Sequence, residues 1–442
     1  MSTAIVVGGG ISGLCACKLL AGSGDQVVLV EKNPAIGGLL KSETNELGHV
    51  FDQGTHFVVP TSIPELDSLM LEDLDDDDCY LWSDSLKEGS YFNGQLSVDS
   101  GCINTRTLPA EIHLQGLAEI LNAVPNPDAA NLEEFLLNNY GPIFTEHVYA
   151  PVVEKFSGVG LKDLHPGAAA TFVATRLVVL DRFGASQVKK SKAYDAKIAW
   201  AHRDDGTSDI VKRYPKSGGV GAWVDGLETR VISEGAEIHA GQGVVSVSIE
   251  GGAVRSVTLD GGKTIECDNV VWTIPPVVFL KAAGIDFTSP PPKFRNLVLL
   301  HYSIDAEVNT ELHWVVCYDP EFLSFRITLY PNVTQEKRVP APHHLTVEVM
   351  IDDYDIDDLS SRVFGELKQM GLVPGDANIL YQSHEDIIPG WPILTTEFEQ
   401  TVRDAFDLAE KSASNVTFVG RGKSENSHFQ NVVLEDLYHA LN

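Results

Sequence analysis

AIVVGGGISG, residues 4–13, is the stretch that decides the fold expected of this 442-residue chain. Its apolar residues have the length of a strand, and residues 14–20 after it are typical of a helix. Between the two, Gly8 allows a tight turn, Gly10 lets the backbone approach a pyrophosphate, and Gly13 lets the helix pack closely on the strand. The N–H groups and the dipole at the start of such a helix favour anionic charge. The motif therefore predicts a dinucleotide site at the end of the first strand.

A second strand, QVVLVE at residues 26–31, ends on an acidic residue. Glu31 lies about 20 residues past the glycines, where a carboxylate accepts the ribose hydroxyls of a bound dinucleotide. A glycine-rich turn in an unrelated α/β fold would not need this combination of strand, helix, spacing and acid. We therefore predict an α/β fold that opens with a Rossmann-like unit.

Length and composition limit the classes of protein that fit. The chain has 442 residues, long for one domain and suited to two. No apolar stretch approaches the ~18–20 residues that would span a membrane, and no basic region precedes the first apolar run, so neither a membrane span nor a signal peptide is expected. The formal net charge of −30 disfavours nucleic-acid binding. We expect a cytoplasmic protein with a small-molecule substrate, of unknown oligomeric state.

Cysteine and histidine spacing gives no metal motif. The six cysteines (Cys15, Cys17, Cys79, Cys102, Cys267 and Cys317) form no C-x-x-C pair, and the fourteen histidines form no H-E-x-x-H. Reduced thiols and no metal site are therefore expected. The acidic run EDLDDDD at residues 72–78 is interpreted as a solvated loop, because like charges in a run stay exposed.

Further elements follow from periodicity and turn residues. Helices are predicted at residues 117–124, 131–140, 141–156, 220–234 and 431–441. Residues 236–267 alternate between apolar and polar and turn at two glycine pairs, which predicts an antiparallel meander. Apolar strands are predicted at residues 268–274 and 415–419, and residues 277–375 form a second β-rich stretch.

Together, these segments resemble a known flavoprotein group. The residues that carry the resemblance are the glycine turn with Glu31, the pair Gly37-Gly38, and then GTH at 54–56, YPKSGG at 214–219, TIPP at 273–276 and VGR at 419–421. Their order resembles the group that includes amine oxidases, protoporphyrinogen oxidases, phytoene desaturases and UDP-galactopyranose mutases. The resemblance implies FAD and a discontinuous, glutathione-reductase-like FAD domain, beside a mixed α+β substrate domain. We expect the FAD domain at 1–65, 214–276 and 385–442, and the substrate domain at 66–213 (helical) and 277–384 (β-rich).

The resemblance also assigns residues to FAD. Those expected at the pyrophosphate and adenosine are Gly8, Gly10, Ile11, Ser12, Gly13, Glu31, Lys32 and, through its backbone, Val245. Those expected along the ribityl chain and the isoalloxazine are Gly37, Gly38, Leu39, Gly54, Thr55, His56, Gly420, Arg421, Asn431 and Val432. The helix from Asn431 would point its N-terminus at the flavin, where it would stabilise negative charge on the reduced ring.

On the substrate side, the mutase and protoporphyrinogen-oxidase branches look closer than the amine oxidases. Arg176 resembles a mutase arginine near the substrate, and Arg326 resembles one that contacts a substrate diphosphate, which suits the guanidinium fork. Either arginine could instead pair with one of the many carboxylates. The mutases have a tyrosine-rich stretch after Gly-Arg, whereas this chain has none at residues 422–429.

Three functions remain open at this point. The first is an FAD-dependent oxidoreductase that takes a hydride from a small molecule. In that enzyme His56 would be a catalytic base near neutral pH, unless it only hydrogen-bonds the backbone. The alternative is a non-redox flavoenzyme acting on a nucleotide sugar, similar to UDP-galactopyranose mutase. The third is a flavin-holding protein without turnover.

Overall fold

The computed structural model describes residues 2–83, 86–172, 175–199, 210–334, 341–420, 423 and 429–442. In chain order, its strands are β1 (Thr3–Val7), β2 (Gln26–Glu31), β3 (Ser42–Thr44), β4 (Val50–Asp52), β5 (Cys79–Trp82), β6 (Glu88–Phe92), β7 (Gln95–Ser97), β8 (Ile103–Asn104), β9 (Leu177–Val178), β10 (Lys212–Pro215), β11 (Glu237–Ala240), β12 (Val244–Glu250), β13 (Ala253–Leu259), β14 (Thr264–Glu266), β15 (Asn269–Trp272), β16 (Phe294–Ile304), β17 (Trp314–Cys317), β18 (Ser324–Leu329), β19 (His343–Met350), β20 (Ile379–Pro392) and β21 (Val416–Phe418).

The helices, also in chain order, are α1 (Ile11–Ser23), α2 (Pro64–Met70), α3 (Ala110–Asn122), α4 (Leu132–Phe144), α5 (Ala150–Ser157), α6 (Ala168–Phe172), α7 (Arg182–Val188), α8 (Lys192–Asp195), α9 (Gly221–Ser233), α10 (Pro276–Ala282), α11 (Tyr330–Val333), α12 (Ile356–Gln369), α13 (Thr396–Ser412) and α14 (Gln430–Leu441). A π-helical turn, Thr145–Tyr149, joins α4 to α5. None of the helices within the described ranges is long and apolar enough to cross a membrane.

A parallel sheet with the strand order β11-β2-β1-β15-β21 carries the predicted glycine motif. Both of its faces are covered, with α1, α9 and α14 on one side and the meander β12-β13-β14 with α10 and α13 on the other. Burial on both faces explains why the central strands β1, β2 and β15 are apolar runs rather than alternating ones. The predicted β1, β2, α1, α9, meander and C-terminal helix are confirmed, as is the α/β fold.

A mixed sheet with the strand order β20-β16-β19-β18-β17-β6-β7 forms the second layer of the molecule. On β19, Leu345, Val347 and Val349 pack with apolar residues of α12. Between and before them, His344, Thr346 and Glu348 are polar and point to the opposite face, since side chains alternate along a strand. That polar face contacts β4 and the loop after it, through the hydrogen bonds of His344 with the Val50 carbonyl and of Glu348 with Thr55 N.

The helical region packs as a separate core against the mixed sheet. The predicted boundary between helices 131–140 and 141–156 coincides with a kink in α4, where Gly141 has a φ of 82° and Pro142 follows. The helix predicted at 117–124 is longer than expected, because α3 begins directly after Pro109. Pro109 is the N-cap residue of this helix and makes no side-chain cap.

The described strands of the parallel sheet all lie in the three segments expected to form the FAD domain, 1–65, 214–276 and 385–442. Two strands cross expected boundaries. β10 begins at Lys212, and β20 runs from Ile379 to Pro392. The division into domains therefore stays a prediction.

Candidate functional site

Two glycines of the loop, Gly8 and Gly13, are required by the packing of the protein itself. Gly8 has a φ of +107°, and a Cβ there would lie 2.3 Å from Thr273 Oγ1. A Cβ on Gly13 would lie 1.8 Å from the Gly8 carbonyl oxygen. Helix α1 is thereby held against the end of β1.

Gly10 is different, because nothing in the protein excludes a side chain there. It has a φ of −78° and a ψ of −174°, which any residue adopts. A Cβ on Gly10 would meet no atom nearer than Gly38 Cα, 4.0 Å away. Gly10 caps α1 without a side-chain hydrogen bond, and the first turn carries no acidic residue. The position therefore fits a ligand phosphate that approaches the backbone at a helix N-terminus.

A second glycine pair lies directly against this loop. Gly37 donates its N–H to the Gly9 carbonyl at 2.8 Å and forms a parallel bridge with Gly10. Gly38 has a φ of +62°, and a Cβ there would lie 3.3 Å from Gly10 Cα. Leu39 follows with 36% of its surface exposed. The structure thus brings the two predicted glycine segments together.

Glu31 stands at the end of β2 beside the same loop. Its Oε2 accepts from Gly9 N at 2.7 Å and its Oε1 accepts from Asn33 N at 2.8 Å. Lys32 is exposed next to it, and its side chain lies beside Gly243 at the start of β12. Val245 sits at a register shift between β12 and β13 and is 55% exposed. This outer end of the edge presents the residues expected at the adenosine.

Gly420 and α14 lie at the other end of the row formed by the carboxyl ends of the parallel strands. Gly420 has a φ of +113°, and a Cβ on it would lie 2.7 Å from the Thr273 carbonyl oxygen. Arg421 lies outside the described residues. Asn431 and Val432 are half-buried in the first turn of α14, which has no side-chain cap and packs on α1.

The loop after β4 contacts the polar face of the mixed sheet. Thr55 N donates to Glu348 Oε1 at 3.2 Å, and the Thr55 hydroxyl hydrogen-bonds that of Thr328. Gly54 has a φ of +100°, and a Cβ there would lie 3.1 Å from the same carboxylate. His56 Nε2 donates to the Gln53 carbonyl at 3.0 Å. Glu348 therefore fixes the loop expected to face the isoalloxazine. The sequence analysis identified this loop but not Glu348.

Arg326 is held by the same glutamate. Its Nε and Nη2 lie 2.6 and 2.8 Å from the two oxygens of Glu348, whose side chain is 1% exposed. This bidentate geometry is the strongest form of the pair. The charge of Arg326 is thus compensated by a buried carboxylate.

Arg176 lies in the helical region, directly before β9. Its Nη2 is buried, 3.9 Å from Asp195 Oδ2, and makes no hydrogen bond within the described part of the chain. Burial raises the pKa of Tyr140 to about 12, and the nearby charge of Arg176 acts in the opposite direction. Arg176 is therefore only loosely paired.

Two histidines on the polar face are neutral at physiological pH. Burial lowers the pKa of His344 to about 3 and that of His301 to about 4. His344 stacks on His49 and donates Nε2 to the Val50 carbonyl at 3.1 Å. His301 Nδ1 lies 2.8 Å from Thr346 Oγ1. These side chains join the mixed sheet to β4 without carrying charge.

Asp52, at the end of β4, is a buried acid that sequence reasoning missed. It is 1% exposed and accepts from Ser42 Oγ at 2.6 Å, Tyr214 OH at 2.8 Å and Val220 N at 3.1 Å. Burial raises the pKa of Asp52 to about 6, and its hydrogen bonds act against that shift. The signal available in the sequence was an acid that follows the aromatic Phe51 and precedes the turn at Gly54.

Known proteins match this chain over most of its length. A family model for flavin-containing amine oxidoreductases matches residues 11–309. A curated 4,4'-diaponeurosporene oxygenase of Staphylococcus haemolyticus is 26% identical over 290 residues, which are 60% of this chain and 54% of that protein. The chain thus spans about half the length of this curated relative.

Solved structures match over the whole chain. The crystal structure of a reduced UDP-galactopyranose mutase has a TM-score of 0.80 at 16% identity, covering 100% of this chain and 95% of that one. A protein described as a possible protoporphyrinogen oxidase from Exiguobacterium sp. 255-15 has a TM-score of 0.66 at 15% identity, covering 100% and 97%. A putrescine oxidase has 0.64 at 12%, covering 100% and 98%. At these identities the likeness shows the fold.

Proposed function

Because the chain belongs to the family of flavin-containing amine oxidoreductases and is an FAD-dependent enzyme, we propose that it takes a hydride from a C–H bond of a small-molecule substrate. The proposed site lies between the edge of the parallel sheet and the polar face of the mixed sheet. The observation that supports the FAD site of this proposal is Gly10, a glycine that the protein's own packing does not require, facing Gly38 at an uncapped helix start.

The residues proposed to hold FAD lie along one edge. Gly8, Gly10, Ile11, Ser12 and Gly13 would surround the pyrophosphate, with Gly37, Gly38 and Leu39 opposite them. A carboxylate accepts about four hydrogen bonds, so Glu31 can accept ribose hydroxyls besides its two backbone donors. The register shift at Val245 leaves it without a paired partner on β13, which supports a backbone contact with the adenine. Lys32 would lie beside the adenosine.

At the other end, Gly54, Thr55 and His56 would face the isoalloxazine, and Gly420, Asn431 and Val432 would lie near the flavin. Arg421 keeps the role expected from the sequence, outside the described residues. FAD, when bound, supplies the hydride acceptor, and the protein supplies orientation and electrostatics. Glu348 and Thr328 orient the Thr55 backbone and hydroxyl for that task.

His56 is the proposed proton acceptor. Its Nε2 donates to the Gln53 carbonyl, which holds the ring in the loop expected to face the isoalloxazine. We expect His56→Gln to lower turnover by about 100-fold while FAD stays bound, in keeping with the usual contribution of a general base. The exposed His147→Gln is the matched control. Unchanged turnover in His56→Gln would leave His56 only a backbone partner.

The alternative, a non-redox flavoenzyme acting on a nucleotide sugar, keeps one supporting observation. Arg176 carries a buried Nη2 without a hydrogen bond among the described residues, a donor that a diphosphate would satisfy. Arg326 supports it less, because Glu348 already occupies its fork. Redox chemistry is therefore the preferred function.

The visible spectrum of the purified protein is the first experiment, followed by anaerobic mixing with amines, polyols, polyenes and UDP-galactose. Bleaching of the flavin by one substrate class supports hydride transfer to FAD and names the substrate. UDP binding without bleaching, abolished in Arg176→Met, would support the alternative. If no substrate class bleaches the flavin and UDP does not bind, the results favour a flavin-holding protein without turnover.

A further inference from the structure

Asp52 connects chain segments that are distant in sequence but meet beside the proposed flavin. Ser42, which donates to Asp52, begins β3 just after the segment of Gly37 and Gly38. Tyr214 and Val220, its other donors, lie at the end of β10 and at the cap of α9. One carboxylate therefore receives hydrogen bonds from three stretches of chain.

The start of α9 is built around this carboxylate. Val220 N donates to Asp52, and Gly221 N donates to Ser42 Oγ at 2.8 Å, so two N–H groups of the helix start are satisfied there. Gly219 has a φ of +65°, and a Cβ on it would lie 2.4 Å from Asp52 Oδ1. Gly219 of the YPKSGG motif thus lets the backbone close over Asp52.

The backbone of Asp52 is fixed as well. Tyr330, which is fully buried, accepts from Asp52 N at 2.8 Å, and its hydroxyl lies 3.1 Å from Thr346 Oγ1 on β19. The residue is thereby tied to the polar face of the mixed sheet. The next residues along the chain are Gln53 and then Gly54, Thr55 and His56.

We propose that Asp52 is a positioning residue for the flavin. Through its hydrogen bonds, Asp52 fixes the position of the loop 53–56 relative to the segment 37–42 and to α9. The proposal rests on the FAD site proposed above, because Gly37 to Leu39 are expected along the ribityl chain and Gly54 to His56 at the isoalloxazine. A buried carboxylate with three donors holds its partners more rigidly than neutral groups would, since charged hydrogen bonds are the stronger ones.

The test compares Asp52→Asn with a matched buried acid on the other face of the mixed sheet. Glu366 on α12 is 5% exposed and also accepts three hydrogen bonds, from Leu323 N, Ser324 N and Ser324 Oγ, so Glu366→Gln is the control. Both variants should lower the thermal unfolding midpoint. We expect Asp52→Asn alone to raise the Kd for FAD by at least about tenfold, or 1.4 kcal/mol, and to change the visible circular dichroism of the bound flavin.

Two milder variants keep the test decisive if Asp52→Asn does not fold. Ser42→Ala and Tyr214→Phe each remove one donor and keep the carboxylate. We expect each to weaken FAD binding by about threefold, and the pair to weaken it by more than the product, because both act through Asp52. FAD affinities within twofold of wild type in every folded variant would overturn the proposal. The measurement needs FAD but no substrate, so it does not depend on the proposed hydride transfer.

Discussion

At Gly10, the proposed ligand requires glycine and the packing of the protein does not. Gly8 and Gly13 cannot be replaced without a clash inside the protein, whereas a Cβ on Gly10 has room. We therefore expect Gly10→Ala to leave the free energy of unfolding of the apoprotein within about 0.5 kcal/mol of wild type. The Kd for FAD, measured by fluorescence titration, should rise by at least about tenfold, because the new methyl occupies the phosphate position.

Gly22 provides the control for that experiment in the same helix. It lies in α1 with no atom within 4 Å of its would-be Cβ. Gly22→Ala should stabilise the protein by roughly 0.5–1 kcal/mol through helix propensity and leave FAD affinity unchanged. Equal FAD affinity in Gly10→Ala and wild type would contradict a pyrophosphate at this loop.

Glu348 gives the second prediction at the residue scale. Glu348→Gln removes the charge that compensates Arg326 and weakens the acceptor of Thr55 N. Arg326 is 26% exposed, so solvent screens part of the loss, and we expect about 1–3 kcal/mol less stability in urea unfolding. The double variant Arg326→Gln/Glu348→Gln should recover part of this loss, because no unpaired charge remains. A double variant as unstable as the sum of the single ones would contradict the pairing.

At the scale of elements, the buried histidines of β16 and β19 make stability depend on pH. Both have pKa values lowered by burial, to about 3 for His344 and about 4 for His301. A group with a lowered pKa contributes stability above its unfolded value of about 6.5, and that stability is lost as the pH falls toward the folded value. Each histidine should therefore cost about 1.4 kcal/mol per pH unit below 6.5.

His344→Gln tests this dependence, because glutamine keeps a donor for the Val50 carbonyl but takes up no proton. Between pH 6 and 4.5 we expect the free energy of unfolding of wild type to fall about 2 kcal/mol further than that of the variant. Asp52, with its pKa raised to about 6, acts oppositely, since its contribution is present at low pH and lost as the pH rises through 6. Parallel pH profiles of variant and wild type would contradict the assignment to His344.

At the scale of the whole molecule, the net charge of −30 opposes compaction. Salt screens this self-repulsion, with a Debye length of about 10 Å at 0.1 M and 3 Å at 1 M. We expect the thermal midpoint to rise with sodium chloride. The triple variant Asp75→Asn/Asp77→Asn/Asp78→Asn, in the exposed acidic run, should have a smaller rise. A midpoint that falls with salt in wild type would contradict dominant repulsion.

The sequence by itself determined the features that local chemistry controls. Glycines that permit a turn, an acid that ends β2, apolar runs and turn residues predicted β1, α1, β2, α9 and the meander, and the structure contains them. The order of those segments also led to the flavoprotein family. These features are readable because each depends on residues a few positions apart, through backbone conformation and periodicity.

Only the tertiary structure decided which side chains meet at the site. Glu348 contacts Thr55 across 293 residues of chain, and Tyr214 reaches Asp52 across 162. Such contacts depend on sheet register and on how two sheets pack, which no short pattern encodes, because a one-residue slip would turn Glu348 to the opposite face. The sequence thus predicted where a dinucleotide would bind, whereas folding decided that Arg326 is already paired with Glu348 and that Asp52 joins the segments around it.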